Sequence, residues 1–389
     1  MHACPNCLYE TNHAFHLSFF DKVCLGCLTH AEKNILDWEE RKNRLTSILK
    51  KYKKNNKKYD CIIPVFGDAE DYFVVNTVLE FGLSPLIVSV NDYFKNDIGW
   101  KNYHTLITNF DLDSICFNPN LEEYKELIRT SFRKANHIHL PWLYLHTAYP
   151  VHVAIERNIP LIIWGQSQPV EQVGKFSHLD EVEMTKWSRR EHDTLGYNLS
   201  DIIGTGTQIN TRNLKYYEYP ALSTLNRKRV RGIYLSNFLR WDPLFQNKST
   251  IKLGFTPEYN NSSYDVFERS GSSTYYSIHD ILKKQRVGYR KINDHIARDL
   301  RHGHITKPEA VDLLEAFGKR KVNIKNFFDW LGVTESGYEW LIKHRFNDIR
   351  DHITVGNEKT DLKLPKYLLD ISSNIEMSAD NFIIYGKGI

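Results

Sequence analysis

One stretch constrains the fold of this chain more than any other, and it covers residues 59–90. It begins with an apolar run at 61–65, passes a turn at Gly67, continues with helical spacing as far as Gly82, and reaches a second apolar run at 85–90. Short apolar runs are typical of buried parallel strands. A strand, a helix and a strand within about thirty residues make one βαβ unit. The turn after the first strand then faces the helix N-terminus, which is a natural site for phosphate.

The pattern continues along the chain. Apolar runs at 114–117 and 159–166 predict further strands, and helical spacing occurs at 121–136 and 142–157. Alternating strands and helices predict an α/β domain with a mostly parallel sheet. Ligands of such sheets bind beyond the carboxyl ends of the strands. The turn at 66–71 and the residues after the later strand, Trp164, Gly165 and Gln166, are therefore predicted to lie on one rim.

The cysteines predict a metal site. Of six cysteines, four form two pairs, Cys4-x-x-Cys7 and Cys24-x-x-Cys27, with sixteen residues between the pairs. This is the spacing of a four-thiolate zinc ribbon, in which Zn²⁺ is structural. Unrelated cysteines or a redox pair are the alternatives, and a reducing cytosol favours metal binding.

Length and composition exclude several classes. A chain of 389 residues predicts two or three domains. Its formal net charge of +4 is small for this length, which disfavours a nucleic-acid or membrane-surface protein. Apolar runs long enough for a transmembrane helix are absent, and the N-terminus lacks the features of a signal peptide, so a cytoplasmic location is predicted.

We predict four segments: a zinc ribbon at 1–30, a helical linker at 31–58, an α/β domain at 59–255 and a mainly helical C-terminal region at 256–389. In the last segment, Thr306 is a predicted N-cap with Pro308 in the first turn. A later helix is predicted over 334–346.

The turn at 66–71 occupies the place where PP-loop ATP pyrophosphatases carry Ser-Gly-Gly-x-Asp-Ser. The corresponding residues here are, in order, Phe66, Gly67, Asp68, Ala69, Glu70 and Asp71. Three carboxylates thus stand where backbone N–H groups would approach pyrophosphate, and each would repel phosphate by about 1 kcal/mol or more in a partly buried site. Mg²⁺ could bridge them. An ordinary βα turn is the alternative interpretation.

Several stretches together resemble the N-acetyl sugar amidotransferases of surface-polysaccharide and nonulosonic-acid pathways, the WbpG/PseA group of the PP-loop superfamily. The resemblance covers nearly the whole chain. The matching stretches are the two cysteine pairs, residues 35–38 with Arg41, 59–65, 162–165, 234–238 with Trp241 and Asp242, 288–291, and 297–306 with Glu309 and Ala310. It implies a HUP-like (adenine nucleotide alpha hydrolase-like) fold for the α/β domain.

The resemblance also implies a reaction. Such enzymes use ATP and Mg²⁺ to convert an N-acetyl group on an activated sugar into an acetamidino group, in pathways that include lipopolysaccharide biosynthesis. Ammonia comes from a HisH-type glutaminase through a HisF-like synthase subunit. Glu70, Asp71 and Lys291 are candidate catalytic residues, and residues 66–71 with 164–166 would bind the nucleotide. The sugar-facing candidates are Tyr234, Ser236, Asn237, Tyr289, Asp299 and Arg301, for which helix caps and structural ion pairs are the alternative.

Two departures from the family pattern lie on the predicted nucleotide rim. One is the acidic turn, and the other is Gln166, where such enzymes usually have an acid after Trp-Gly. The sequence therefore supports an amidotransferase or a diverged, non-catalytic member that binds a sugar nucleotide or a partner protein. A tRNA-modifying PP-loop protein is a third hypothesis, and the near-neutral charge weighs against it.

Overall fold

The structure is a computed structural model and describes residues 3–10, 17–53, 58–204, 214–259 and 262–355. The chain divides into two compact units. We call the first the ribbon–helical unit, which comprises Met1–Cys27, Tyr259–Val266 and Thr274–Ile389. The second is the α/β unit, which comprises Leu28–Glu258 and Phe267–Ser273. The four predicted segments are thus grouped into two bodies, and their individual boundaries stay predictions.

The strands are short. They are β1 Phe19–Phe20, β2 Val23–Cys24, β3 Cys61–Pro64, β4 Pro85–Val90, β5 Ser114–Phe117, β6 Leu161–Trp164, β7 Arg231–Tyr234, β8 Val322–Asn323 and β9 Ile353–Thr354.

Helices account for most of the remaining regular structure. They are α1 Leu25–Glu32, α2 Trp38–Tyr52, α3 Ala69–Glu80, α4 Asp97–Asn109, α5 Leu121–Ala135, α6 Leu140–Arg157, α7 Gln168–Glu171, α8 Lys186–Ser188, α9 Leu199–Ile203, α10 Leu222–Lys228, α11 Pro243–Thr250, α12 Tyr276–Val287, α13 Lys291–His302, α14 Lys307–Gly318, α15 Lys325–Trp330 and α16 Glu335–His344.

The centre of the α/β unit is a five-stranded sheet in the order β5-β4-β3-β6-β7, and all of its pairings are parallel. The chain adds β4 and β5 on one side of β3, and then crosses to add β6 and β7 on the other side. The direction of winding therefore reverses between β3 and β6. The crevice beyond the carboxyl ends of these two strands is the topological switch point, where ligands bind in sheets of this kind.

Helix α6 supplies much of the core against the sheet. Its apolar residues Ala148, Val151 and Ala154 share one buried cluster with Ile62 of β3 and Ile162 of β6. Each fully buried aliphatic side chain of this size contributes about 1.5–3 kcal/mol relative to exposure, so this face holds the helix and the sheet together.

The predicted βαβ unit is confirmed, and its strand β4 has the predicted bounds. Apolar residues recur at helical spacing over residues 29–52 and so predict one long helix in the sequence; this prediction is wrong, because the structure forms α1 and α2 separately. Asp37 is the N-cap of α2, because its carboxylate accepts the backbone N–H groups of Glu39 and Glu40 at 3.0 Å. Helix α4 was not predicted from the sequence.

The ribbon–helical unit contains the four-cysteine segment and the mainly helical C-terminal region. Thr306 caps α14 through the N–H of Glu309, and Pro308 lies in the first turn of the helix, as predicted. The fold class is thereby confirmed: an N-terminal four-cysteine cluster, a parallel-sheet α/β domain and a mainly helical C-terminal region. In the parts of the chain that the structure describes, none of the helices has the length and apolarity to cross a bilayer.

Candidate functional site

The turn between β3 and α3 lies at the switch point and is held in one conformation by Gly67. This residue has φ +103°, a region that L side chains rarely adopt. A Cβ here would also lie 3.3 Å from the Cβ and the backbone nitrogen of Tyr103 on α4. The positive φ therefore favours glycine at this position, and a Cβ would in addition require α4 to move by a few tenths of an ångström.

Three backbone N–H groups of the turn converge on the carboxylate of Asp71. The Oδ2 atom of Asp71 accepts the N–H of Phe66 at 2.7 Å, of Gly67 at 2.7 Å and of Asp68 at 3.1 Å. Convergent backbone N–H groups of this kind form an anion-binding nest. In this chain the nest is occupied by the carboxylate of Asp71, which lies in the first turn of α3.

Glu70 connects the turn to the end of β6. Its Oε1 atom accepts the backbone N–H of Gln166 at 2.9 Å. A Cβ at Gly165 would lie 2.0 Å from the same oxygen, so the glycine makes room for the carboxyl group. The structure thus brings together the two predicted rim segments, 66–71 and 164–166, across the switch point.

A segment that is distant in sequence also belongs to this site. We call Phe267–Ser273 the strap, and it is part of the α/β unit. Its backbone accepts the N–H of Ala69 at 3.4 Å, through the carbonyl of Phe267, and that of Asn96 at 3.0 Å, through the carbonyl of Gly271. These contacts place the strap beside the turn and the N-terminus of α4.

The strap serines satisfy the remaining carboxylates. Asp68 accepts the hydroxyl of Ser272 at 2.7 Å and the N–H of Ser270 at 3.3 Å. Asp92, which follows β4, accepts the hydroxyl of Ser273 at 2.9 Å. Each of these acidic side chains at the rim is therefore already hydrogen-bonded within the chain.

Two cations lie over the ring of Phe66, the residue that replaces the first serine of the PP-loop pattern. Lys95 Nζ is 3.5 Å from the ring centroid, and Arg269 Cζ is 5.4 Å from it. Arg269 also lies 4.9 Å from the ring centroid of Trp142, which stacks on His146. The Nζ of Lys95 is buried and has no hydrogen-bond acceptor among the residues that the structure describes.

Burial dominates the electrostatics of the site. It raises the pKa of Glu70 to about 8, so this side chain is largely protonated at neutral pH. Burial raises the pKa of Asp71 to about 6, and the repulsion of Asp68 adds to this while the three N–H donors oppose it. Burial also raises the pKa of Asp68 and Asp92, against the attraction of Arg269 and Lys95 respectively.

These residues do not fit the triphosphate of ATP in the arrangement that the structure shows. The donors that would bind phosphate are paired with Asp71, and Glu70 fills the space beside Gly165. Among the residues that the structure describes, these carboxylates do not form a group of three ligand atoms within 4.8 Å of one another, so they are not arranged as a Mg²⁺ site. The carboxylates of the acidic turn are thus hydrogen-bonded within the chain, whereas Lys95 Nζ and Trp164 Nε1 are buried donors without an acceptor among the described residues.

The sugar-facing candidates of the α/β unit all make internal contacts. Tyr234 ends β7 and its hydroxyl donates to the sulfur of Met184 at 3.1 Å. Ser236 accepts the N–H of Ser167 at 2.9 Å, and Asn237 donates to the carbonyl of Val182 at 3.1 Å. Their role in sugar binding stays a prediction.

The other candidates, Tyr289, Lys291, Asp299 and Arg301, belong to the ribbon–helical unit. Asp299 is buried and accepts the hydroxyl of Tyr264 at 2.8 Å and the Nε of Arg298 at 2.7 Å. Burial opposes ionisation of Asp299, but Arg298 and the hydrogen bonds hold its pKa well below the usual range. These contacts are those of a structural ion pair, and catalysis by Lys291 stays a prediction.

The four paired cysteines form a candidate metal centre. All four are buried, and their sulfur atoms lie within 4.8 Å of one another. The sulfurs of Cys4 and Cys27 are 3.8 Å apart, and those of Cys7 and Cys24 are 3.4 Å apart. Zn–S bonds of about 2.3 Å in a tetrahedron require separations of about 3.8 Å. The donor set and its spacing therefore fit Zn²⁺.

Sequence reasoning missed Asp92, Lys95 and the strap. The first two follow β4 directly, so the rule that placed 66–71 and 164–166 on the rim could have found them. The strap lies in a stretch rich in serine, asparagine and tyrosine at 260–277, a composition that predicts only a loop, and nothing local in the sequence indicates which residues this loop contacts.

The fold and this site define an α/β unit with a doubly wound parallel sheet, whose turn after β3 is occupied by its own carboxylate, in a chain with four clustered cysteines that fit Zn²⁺. Residues 261–361 match the family described as LPS biosynthesis protein WbpG-like, C-terminal domain. The resemblance to the WbpG group is thereby confirmed over these residues, and the chain carries a WbpG-like C-terminal domain.

Two further comparisons were made. No curated protein matches this chain. Among solved structures, the chain is similar to NMN synthetase from Francisella tularensis, with 13% identity and a TM-score of 0.29, over 58% of this chain and 99% of that one. A similarity at this level supports no conclusion about function.

Proposed function

We propose that this protein acts in the biosynthesis of lipopolysaccharide or another surface polysaccharide, as a diverged member of the N-acetyl sugar amidotransferase group. In this proposal it binds a sugar nucleotide without ATP chemistry. The match of residues 261–361 supports the pathway. The observation that carries the loss of ATP chemistry is the carboxylate of Asp71, which accepts the three backbone donors of the turn.

A phosphate that bound at the turn would meet two obstacles. It would need to remove Asp71 from the nest and then lie near Asp68 and Asp71. Two unit charges of like sign 4 Å apart repel by about 4 kcal/mol at an effective dielectric constant of about 20. Neutralisation of Glu70, whose pKa is about 8, removes only one of the three charges.

Lys95 and Arg269 indicate where the diphosphate of a sugar nucleotide would bind. Both cations lie on the ring of Phe66, at the carboxyl end of β3. A buried ammonium group without an acceptor is costly unless a ligand supplies one. A diphosphate bound there would gain two charge-assisted contacts while the turn keeps its own carboxylate.

The ATP-dependent amidotransferase is the second candidate, and the same two cations favour it. In that case the sugar N-acetyl group would become an acetamidino group, with ammonia from HisH-like and HisF-like partner subunits. ATP binding would then require the turn to release Asp71.

Titration calorimetry distinguishes the two candidates. We expect a UDP-N-acetylhexosamine to bind and MgATP to give no heat at millimolar concentration. Lys95→Gln should weaken sugar-nucleotide binding at least tenfold, whereas Lys252→Gln, which changes an exposed lysine of the same unit, should not. Tight binding of MgATP by the unaltered chain would refute the proposal. Absence of sugar-nucleotide binding would refute the ligand and leave a partner protein as the remaining alternative.

A further inference from the structure

The cysteine centre has a cationic neighbour that is not a ligand. Arg301, on α13, places its Nη2 atom 3.5 Å from the sulfur of Cys24 and 3.6 Å from the sulfur of Cys7. We propose that Arg301 is a positioning residue of the metal centre, and that the bound metal thereby fastens the N-terminal cysteine segment to α13 of the WbpG-like domain.

The charge of the centre gives the first reason. Four thiolates around Zn²⁺ carry a net charge of −2, and these sulfurs are buried. A guanidinium group in contact with two of them offsets half of that charge, and its N–H groups hydrogen-bond directly to sulfur. Outer-shell donors of this kind orient ligands and tune a metal site, and their loss typically lowers metal affinity about 10- to 100-fold.

A second set of contacts joins the same two segments. Tyr9, two residues after Cys7, donates its hydroxyl to Asp294 of α13 at 2.7 Å. Asp294 also accepts Lys283 of α12 at 2.6 Å. The guanidinium of Arg301 lies 5.3 Å from the ring centroid of Tyr9. Residues of the cysteine segment thus contact α13 at two points, Asp294 and Arg301.

The consequence is a thermodynamic link between metal and helix. The cysteine segment and α13 belong to one compact unit although almost 300 residues separate Cys7 from Arg301. A ligand that binds only the folded state stabilises every segment that folds cooperatively with its binding site. Metal binding should therefore order α13, and not only the short segment that supplies the sulfurs. The resemblance places Arg301 beside the sugar, whereas its contacts assign it to the metal.

The test compares Arg301→Gln with Arg350→Gln, which changes an exposed arginine of the same unit. Metal affinity is measured on the full chain by competition with a chromophoric chelator, and the centre is followed by the thiolate-to-cobalt absorption of the Co²⁺ form. We expect a 10- to 100-fold loss of affinity and faster alkylation of the cysteines in Arg301→Gln, and no change in Arg350→Gln. Unchanged affinity and unchanged alkylation in Arg301→Gln would overturn the proposal.

If Arg301→Gln does not fold, Arg301→Met replaces it, since a methionine keeps the long apolar stem but removes both the charge and the N–H donors that reach the two sulfurs. Weaker metal binding than in the unaltered chain supports the assignment, and equal binding overturns it. Hydrogen exchange of the unaltered chain tests the link. Metal removal should accelerate exchange in Lys291–His302 and leave Leu140–Arg157 of the α/β unit unchanged. Equal protection of α13 with and without metal would overturn the fastening.

Discussion

Replacement of Asp71 by alanine tests whether its carboxylate substitutes for a bound phosphate. The change leaves three N–H groups without their acceptor, at a cost of about 2 kcal/mol each, or about 6 kcal/mol in total. An opposing effect comes from the charge. Burial and the repulsion of Asp68 outweigh these hydrogen bonds and raise the pKa of Asp71 to about 6, so loss of the ionised carboxylate at pH 7 offsets part of this cost. We therefore expect a net loss of about 3 kcal/mol in the free energy of unfolding.

The decisive measurement is the response to anions. Pyrophosphate should bind the vacated donors and restore about 2.7 kcal/mol at a concentration one hundred times its dissociation constant. Urea unfolding, followed by tryptophan fluorescence and circular dichroism, is measured with and without pyrophosphate. The control is Asp37→Ala, which removes the acceptor of two exposed N–H groups at the start of α2 and should lose stability without anion rescue. Equal effects of pyrophosphate on both variants would refute the reasoning.

Three further predictions concern the same site. Glu70→Gln should flatten the pH dependence of stability: the folded-state pKa of about 8 exceeds the ordinary 4.5, so the unaltered protein loses stability as pH rises between these values, by a few kcal/mol in order of magnitude. Urea midpoints from pH 5 to 9 check this. Restoring Ser-Gly-Gly-x-Asp-Ser at 66–71 should create MgATP binding that calorimetry detects, and a silent titration would count against the PP-loop origin of the turn. Gly99→Ala should destabilise by about 1–3 kcal/mol, because its Cβ would lie 2.0 Å from the carbonyl oxygen of Gly271, whereas Gly318→Ala, which meets nothing within 4 Å, should not.

Local signals in the sequence were enough to predict the strands that are uniformly apolar and the helix start that is stabilised by its own residues. The runs that form β3 and β4 are buried on both faces and therefore show as continuous apolar residues. Thr306 and Pro308 give a helix start that needs no tertiary partner. The break at Asp37 was missed because the helical spacing continues across it, and only the carboxylate cap marks the new start.

The site was less accessible to sequence reasoning. The three carboxylates of the turn were seen as groups that repel phosphate, and this holds for ionised acids exposed to a ligand. The sequence does not show that Asp71 turns back to its own nest or that burial keeps Glu70 largely protonated. It also does not show that Ser270 and Ser272, about 200 residues later in the chain, donate hydrogen bonds to Asp68. These are tertiary facts, because they depend on which loop covers the turn.

The strap has a consequence for how this chain can be divided. Phe267–Ser273 lies within the span matched by the WbpG-like domain, yet it belongs to the α/β unit. A polypeptide that stopped at Glu258 would retain every strand of the parallel sheet but would lose the serine donors of Asp68 and Asp92. Asp68 would then lose Ser270 and Ser272 as donors, and Asp92 would lose one donor while it keeps the N–H of Phe94. The rim of the sheet therefore depends on the region that follows the sheet in the chain. Replacing either part with the corresponding part of a relative would disrupt the crevice.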